Sequence, residues 1–293
     1  MAEVIVKRKN LIFDATLMSS FMGCETYTDF RHNRNFVPIT GVGKALELGL
    51  LFHCMIEHFN IARREGIRRE DAAAIGQSAG AKYIAGDPTN EDKFPGIKNA
   101  SDEEISHLLD TFDQYINYYR NDHHTIIDVE RVISKMLYED DEIRVLWKAK
   151  VDRTEDTVDG IISRDYKTSS RRGPTLSLNN QFMGHCLVLS SPYVIVDKVG
   201  LQKTLKPEEK FERVILNYSR DRLVEQVKNI AHWAYRYIEY IERGYPVSNY
   251  THCDKFGGCI FRHICSSDRS MREDELRQHF MIGKPWDVGN EDD

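Results

Sequence analysis

The chain lacks any run of about 18 apolar residues, so no membrane-spanning helix and no membrane partner are expected. Its first residues, MAEVIVKRKN, lack an apolar core followed by a small-residue cleavage site, which argues against a secretory leader. Internal repeats and low-complexity stretches are also missing. The expected location is therefore a cytoplasm, that of a prokaryote or a phage-infected host cell. A basic balance is lacking too: 40 Lys and Arg against 46 Asp and Glu leave a net charge of −6. That excludes little, because binding phosphates needs a local basic surface and not a basic total. Local basic clusters do exist, Arg63–Arg64 with Arg68–Arg69, and Arg171–Arg172. Each taken alone reads equally well as a solvated face.

What is present suits one sizeable core, or one core with an inserted subdomain: 293 residues, 41% apolar and 29% charged. Leu17, Met18, Phe21 and Met22 recur at helical spacing after a capping Asp14. A second helix is expected from Gly41 to about Glu65, and a third from Ser101 to Arg120, opened by the capping-box pattern Ser-Asp-Glu-Glu. Residues 66–100 carry Gly, Asp and Asn punctuation and no clear period. From Thr125 the period changes to two. Ile127–Leu137, Ile143–Arg153 and Val158–Tyr166 read as an antiparallel meander with turns at 139–141 and 154–156. A helix over Gln181–Leu189, strands over Tyr193–Gly200 and Phe211–Tyr218, and a long helix over Asp221–Arg243 follow. The fold class is α/β, a small mixed sheet flanked by helices, with a helical insertion near 60–125. A single domain is expected over residues 1–283, with a cysteine cluster in 250–268 and a disordered acidic tail over 284–293.

The segment KAKVDRTEDTVDGIISRDYKTSS carries the chemistry. Asp152 lies late in one strand and Asp165 near the end of the next. Lys167, two residues on, projects from the same face as Asp165. A hairpin would bring the two carboxylates together. Unpaired like charges are costly in a core, yet they suit a hard divalent cation such as Mg²⁺ or Mn²⁺. The lysine can orient an attacking water or stabilise charge developing on phosphorus. An Asp-x-Lys tripeptide alone is a weak signal, so its company matters. His53 interrupts the apolar run Leu50-Leu51-Phe52, where a core histidine and a metal ligand are both possible. Glu57, one turn on, suits a supporting or surface role. Gln181 opens the helix after the active strand and could hold substrate phosphate or cap the helix.

The order His53, Asp152, Asp165-Tyr166-Lys167-Thr168 and Gln181 resembles the PD-(D/E)XK nuclease superfamily in its RecB-like branch. The resemblance spans about Met18 to Cys265 and rests on short motifs in the right order. It implies a restriction-endonuclease-like core. It also implies catalysis by Asp152, Asp165, Lys167 and Gln181, with Mg²⁺ or Mn²⁺ held by His53, Asp152, Asp165 and the Tyr166 main-chain carbonyl. That branch usually carries a Tyr four residues after the Gln. His185 stands here instead, which puts substrate contact at that position in doubt.

Six cysteines remain. Disulfides are rare in a reducing compartment, so a cysteine cluster more often means metal or catalysis. Cys253, Cys259 and Cys265 stand in HCDKFGGCIFRHIC, where Gly257-Gly258 permits a tight turn. Three thiolates can hold a soft metal or an iron–sulfur cluster. His252 and His263 are local options for a fourth ligand and would suggest zinc; Cys24 is the distant one. The resemblance favours Cys24. Iron–sulfur members of the branch place one Cys before the nuclease motifs and three after, together holding a [4Fe–4S] cluster, here in a structural role. Cys54 and Cys186 read as ordinary core thiols.

The resemblance thus implies a metal-dependent DNA nuclease. Related enzymes mostly act as exonucleases on single-stranded ends, in phage or prokaryotic recombination, repair or processing. A recombination, helicase or CRISPR-adaptation protein would be a fitting partner. The rival readings are a non-catalytic DNA-binding subunit and an iron–sulfur or zinc protein of other chemistry, such as an electron carrier.

Overall fold

The computed structural model describes residues 8–41, 43–169, 176–255, 258–285 and 287. Residues 1–7, Arg171–Arg172, Gly257 and most of the acidic tail lie outside the described residues. In chain order the main elements are β1 (Lys9–Phe13), α1 (Ala15–Gly23), α2 (Glu25–Thr28), β2 (Phe36–Pro38), α3 (Lys44–Arg64), α4 (Arg69–Ala85) and α5 (Asp102–Tyr118). Then come β3 (Thr125–Glu139), β4 (Ile143–Thr157), β5 (Gly160–Ser169), α6 (Asn180–Leu189), β6 (Tyr193–Gly200), α7 (Pro207–Lys210), β7 (Phe211–Asn217), α8 (Arg220–Arg243), α9 (Arg262–Ser266), α10 (Arg272–His279) and β8 (Phe280–Ile282).

Two compact units share these elements. One comprises Met1–Gly41, Ser134–Ala149 and Arg220–Asp293; the other comprises Val42–Ile133 and Lys150–Ser219.

In the second unit the later part of β4 pairs antiparallel with β5, β5 pairs parallel with β6, and β6 pairs antiparallel with β7. This is a mixed sheet. The parallel pair needs a crossover, and α6 supplies it. The core packs Leu51, Phe52, Met55, Ile56 and Phe59 of α3 against Phe112 and Tyr115 of α5 and Tyr166 of β5. The capping box at Ser101 is present: its hydroxyl accepts from Glu104 N, and the Glu104 carboxylate accepts from Ser101 N. Helix α4 is the element that periodicity hides. Its sequence REDAAAIGQSAGAKYIA offers small residues where an apolar stripe would be expected. The small residues let it lie close to α3: a Cβ on Gly76 would stand 2.8 Å from Met55 O, and one on Gly80 2.8 Å from Met55 Cγ.

The expected turn at 154–156 is displaced. Thr154, Glu155 and Asp156 continue β4, and the chain reverses at Val158-Asp159. The reason is that Glu155 is not a turn residue but a buried partner, 2.9 Å from Arg153 and bonded to the fully buried Arg164. Arg164 also meets Asp197 at 2.9 Å and Asp122 at 3.2 Å. A buried guanidinium is tolerable only with such a full set of acceptors.

In the first unit β1 pairs parallel with the early part of β4, and β2 pairs antiparallel with β8. Asp14 caps α1, accepting from Thr16 N at 2.6 Å and Leu17 N at 2.9 Å. Helix α1 stops at Gly23; Cys24 takes an extended backbone before α2 begins. Helix α8 packs Tyr237 and Tyr240 against Phe21. A second cluster gathers Phe30, Phe36, Phe261, Ile264, Leu276 and Phe280.

Candidate metal centre and cysteine cluster

The centre in the second unit is built where β4 and β5 part. Their pairing runs from Thr157↔Gly160 to Arg153↔Arg164. Beyond it, Tyr166 N donates to the Asp152 carboxylate at 2.9 Å. A side chain here occupies an amide that a regular ladder would have used. The consequence is that Asp152 and Asp165 sit at the diverging strand ends, Asp165 fully buried and Asp152 half-buried. Lys167 Nζ lies 2.7 Å from Asp165 Oδ1, as the two-residue period of a strand requires. Gln181, at the start of α6, donates from Nε2 to Asp165 Oδ2 at 2.8 Å. Asn179 caps that helix, accepting from Gln181 N, so the glutamine side chain itself is released toward Asp165.

His53 reaches the same place from α3. Its Nδ1 is 3.5 Å from Asp152 Oδ2, and its ring meets the Tyr166 ring edge-on. Burial depresses the His53 pKa, against the pull of Asp165, so the imidazole is neutral and able to act as a ligand at neutral pH. Glu57, one turn on, is engaged by Lys93 at 3.1 Å.

Sequence reasoning missed Glu130. The segment Asp128-Val129-Glu130-Arg131 looks like the solvent side of a strand. Its backbone, however, turns into the left-handed region at Glu130, with φ of 54°. That costs a non-glycine residue of order 1–3 kcal/mol and turns the side chain inward. His53, Glu130 and Asp152 each offer a donor atom within 4.8 Å of the others, a group that could hold a metal ion. An acidic residue in the strand just before the Asp152 strand was the only available hint.

The electrostatics fit a cation. Burial, then the neighbouring Asp165, pushes Asp152 up to about 7. Burial, then Asp152, pushes Glu130 up to about 7, although Lys150 stands 2.9 Å away and opposes the shift. Burial would lower the Lys167 pKa, but Asp165 and Asp152 outweigh it and the group is held charged. Lys167 and Lys150 beside Asp152, Asp165 and Glu130 leave the carboxylates in excess, a donor set of the kind that could hold a hard divalent ion. His185 is buried, 1% exposed, and burial brings its pKa down to about 4. It lies behind the site as a neutral packing residue.

In the first unit, Cys24, Cys253, Cys259 and Cys265 line one small cavity together with Tyr27, His252 and Phe261. Asn249 N donates to Cys24 Sγ at 3.3 Å, and Cys259 N donates to Cys253 O at 2.8 Å. The absence of a side chain on Gly23 admits the His252 ring, which a Cβ there would meet at 2.7 Å. Burial raises the Cys265 thiol to about 11, Arg272 opposes, and the other three cysteines add to the rise. His263 turns elsewhere, forming a donor group with Glu275 and His279. Cys54 and Cys186 are buried apart from this cluster, each pushed up to about 12 by burial, and so are poor nucleophiles.

Residues 26–266 match the PD-(D/E)XK nuclease superfamily, and the chain belongs to it. No curated protein matches it in sequence. Among solved structures it is similar to an inferred exonuclease from Eubacterium rectale, at 11% identity and a TM-score of 0.48, covering 94% of this chain and 90% of that one. It is also similar to the protein SSO0001, at 13% identity and a TM-score of 0.32, covering 64% and 73% respectively. Superfamily membership agrees with the mixed sheet flanked by helices. No described helix is long and apolar enough to cross a membrane.

Proposed function

We propose that the protein is a metal-dependent DNA exonuclease acting on single-stranded ends, with a structural [4Fe–4S] cluster, in phage or prokaryotic DNA recombination, repair or processing. The observation that carries this reading is the placing of Asp152, Asp165 and Lys167 together at the parting of β4 and β5. His53, Asp152, Asp165 and the Tyr166 carbonyl would hold Mg²⁺ or Mn²⁺, with Glu130 as an added ligand. Such an ion, when bound, activates water and offsets charge on the leaving 3′-oxygen. Lys167 then orients the attacking water and balances charge developing on phosphorus. Gln181 fixes the rotation of the Asp165 carboxylate.

The four-cysteine cavity supports the cluster assignment. Four cysteines facing one cavity match the four thiolates such a cluster needs, and Cys24 would tie the N-terminal helices to the segment 250–268.

The test is digestion of end-labelled DNA by protein purified without air, with and without EDTA. Mn²⁺-dependent cleavage in wild type, and none in Asp165→Ala, supports the reading. Normal activity in Asp165→Ala sinks the site assignment, and a colourless, zinc-containing active protein sinks the cluster.

A further inference from the structure

The catalytic reading leaves unused a cavity of about 220 Å³ in the second unit. Its floor is buried, formed by Tyr166, Asn60, Tyr115 and Arg153; its mouth is exposed, at Arg64, His123, His124 and Thr125. Arg63 and Arg69 stand on its wall. Their guanidiniums are anchored by main-chain carbonyls, which bear no net charge: Arg63 donates to Ile67 O at 2.6 Å, and Arg69 to Tyr119 O at 2.7 Å and Ile116 O at 2.9 Å. Arg153 does meet Glu155, and Arg64 stands 3.7 Å from Asp128. The one lining carboxylate, Asp122, is already taken by Arg164 at 3.2 Å and Arg213 at 2.9 Å. The hollow therefore carries excess positive charge. Burial, then the like charge of Arg63, lowers the pKa of Arg69.

Clustered guanidiniums match phosphate oxygens in geometry and charge. The volume exceeds what a bare phosphate needs and leaves room for the sugar that carries it. The closed floor would not let a continuing strand pass. We propose that this cavity takes the terminal phosphomonoester and nucleotide of a substrate strand. A phosphomonoester carries about −1.5 to −2 charge at pH 7, more than the single charge of an internal diester, so the pocket selects ends.

Its position suits that task. Tyr166 joins the two places: its amide donates to Asp152, and its hydroxyl accepts from Asn60 Nδ2 at 3.0 Å. Asn60 lies seven residues from His53 on α3, about 10.5 Å along the axis. This inference rests on the nuclease reading and adds the feature that recognises an end.

The experiment uses the full-length Asp165→Asn protein without added metal. Fluorescence anisotropy measures its affinity for three single-stranded oligonucleotides of one sequence, ending in a 5′-phosphate, a 3′-phosphate or hydroxyls only. One phosphorylated end should bind about tenfold tighter than the hydroxyl-ended strand, which also assigns polarity. Arg63→Gln should erase the difference. Should that variant not fold, the exposed Arg64→Glu should weaken it severalfold. Equal affinity for all three strands overturns the proposal. Mn²⁺-dependent cleavage by wild type with no end preference sinks this pocket alone, whereas end preference with no cleavage sinks the nuclease reading and leaves the pocket.

Discussion

The carboxylate centre and the cysteine cavity pose the same physical problem with different atoms. Each gathers groups that become anions, in surroundings that penalise anions. In the carboxylate centre burial raises Asp152 and Glu130 to about 7. In the cysteine cavity burial and the neighbouring thiols raise Cys265 to about 11. They differ in assembly. Asp152, Asp165 and Lys167 fall within one hairpin, and only His53 and Glu130 come from elsewhere. Cys24 must meet Cys253, Cys259 and Cys265 across more than two hundred residues of chain. Oxygen donors on a local hairpin suit an ion that exchanges; sulfur donors from remote segments suit one that stays.

That contrast can be broken by experiment. The largest effect is expected at the hairpin: Asp165→Ala or Lys167→Ala should lower the cleavage rate roughly a thousandfold or more. The fold and the absorbance near 400 nm should remain, as circular dichroism, kinetics and visible spectroscopy on one sample will check. A loss of colour in Lys167→Ala would mean that the two centres are not separable.

Removing the remote ligand should do the reverse. Cys24→Ser should release iron and destabilise the chain. A loss of about 2 kcal/mol would lower the melting temperature by about 3 °C in a chain of this length, readable by calorimetry beside an iron assay. Full iron content in Cys24→Ser would restore the zinc alternative.

A smaller effect concerns Glu130. Glu130→Gln should raise the Mn²⁺ concentration needed for half-maximal cleavage by about tenfold, with a lesser change in the saturated rate. It should also relieve repulsion on Asp152, so the metal-free variant should melt above wild type at pH 8.

The smallest effect is on stability against pH. The raised pKa values of Asp152 and Glu130 mean that the folded, metal-free protein keeps protons the unfolded chain has lost. Their contribution is therefore most favourable below the ordinary carboxylate range and is lost as pH rises from about 4 to about 7. Melting temperatures at pH 5 and pH 8, with and without Mn²⁺, test this. The stabilisation by Mn²⁺ should be larger at pH 8, and a larger gain at pH 5 would contradict it.

Much of this was legible in the residues themselves. Asp165 and Lys167 share a face because a strand repeats every two residues, and Gln181 stands where a helix opens after the active strand. The capping box at Ser101 and the strand periods from Thr125 onward place the frame. Other features were hidden for physical reasons. Glu130 turns inward only because its backbone is left-handed. Glu155 mimics a turn residue yet serves a buried arginine. Helix α4 replaces an apolar stripe with small residues, and short strands such as β2 and β8 carry too few residues to show a period. The arginines at 63, 64 and 69 read as a solvated face until α5 and β3 folded over them.

The glycines of α4 have a consequence for heat tolerance. Gly76 and Gly80 let α4 rest against the backbone and side chain of Met55, two residues from His53. An added methyl at residue 76 would meet a carbonyl oxygen, which cannot swing aside as a flexible side chain can. A Gly76→Ala protein should thus be temperature-sensitive, folded at low temperature and unfolded at a temperature the wild type survives.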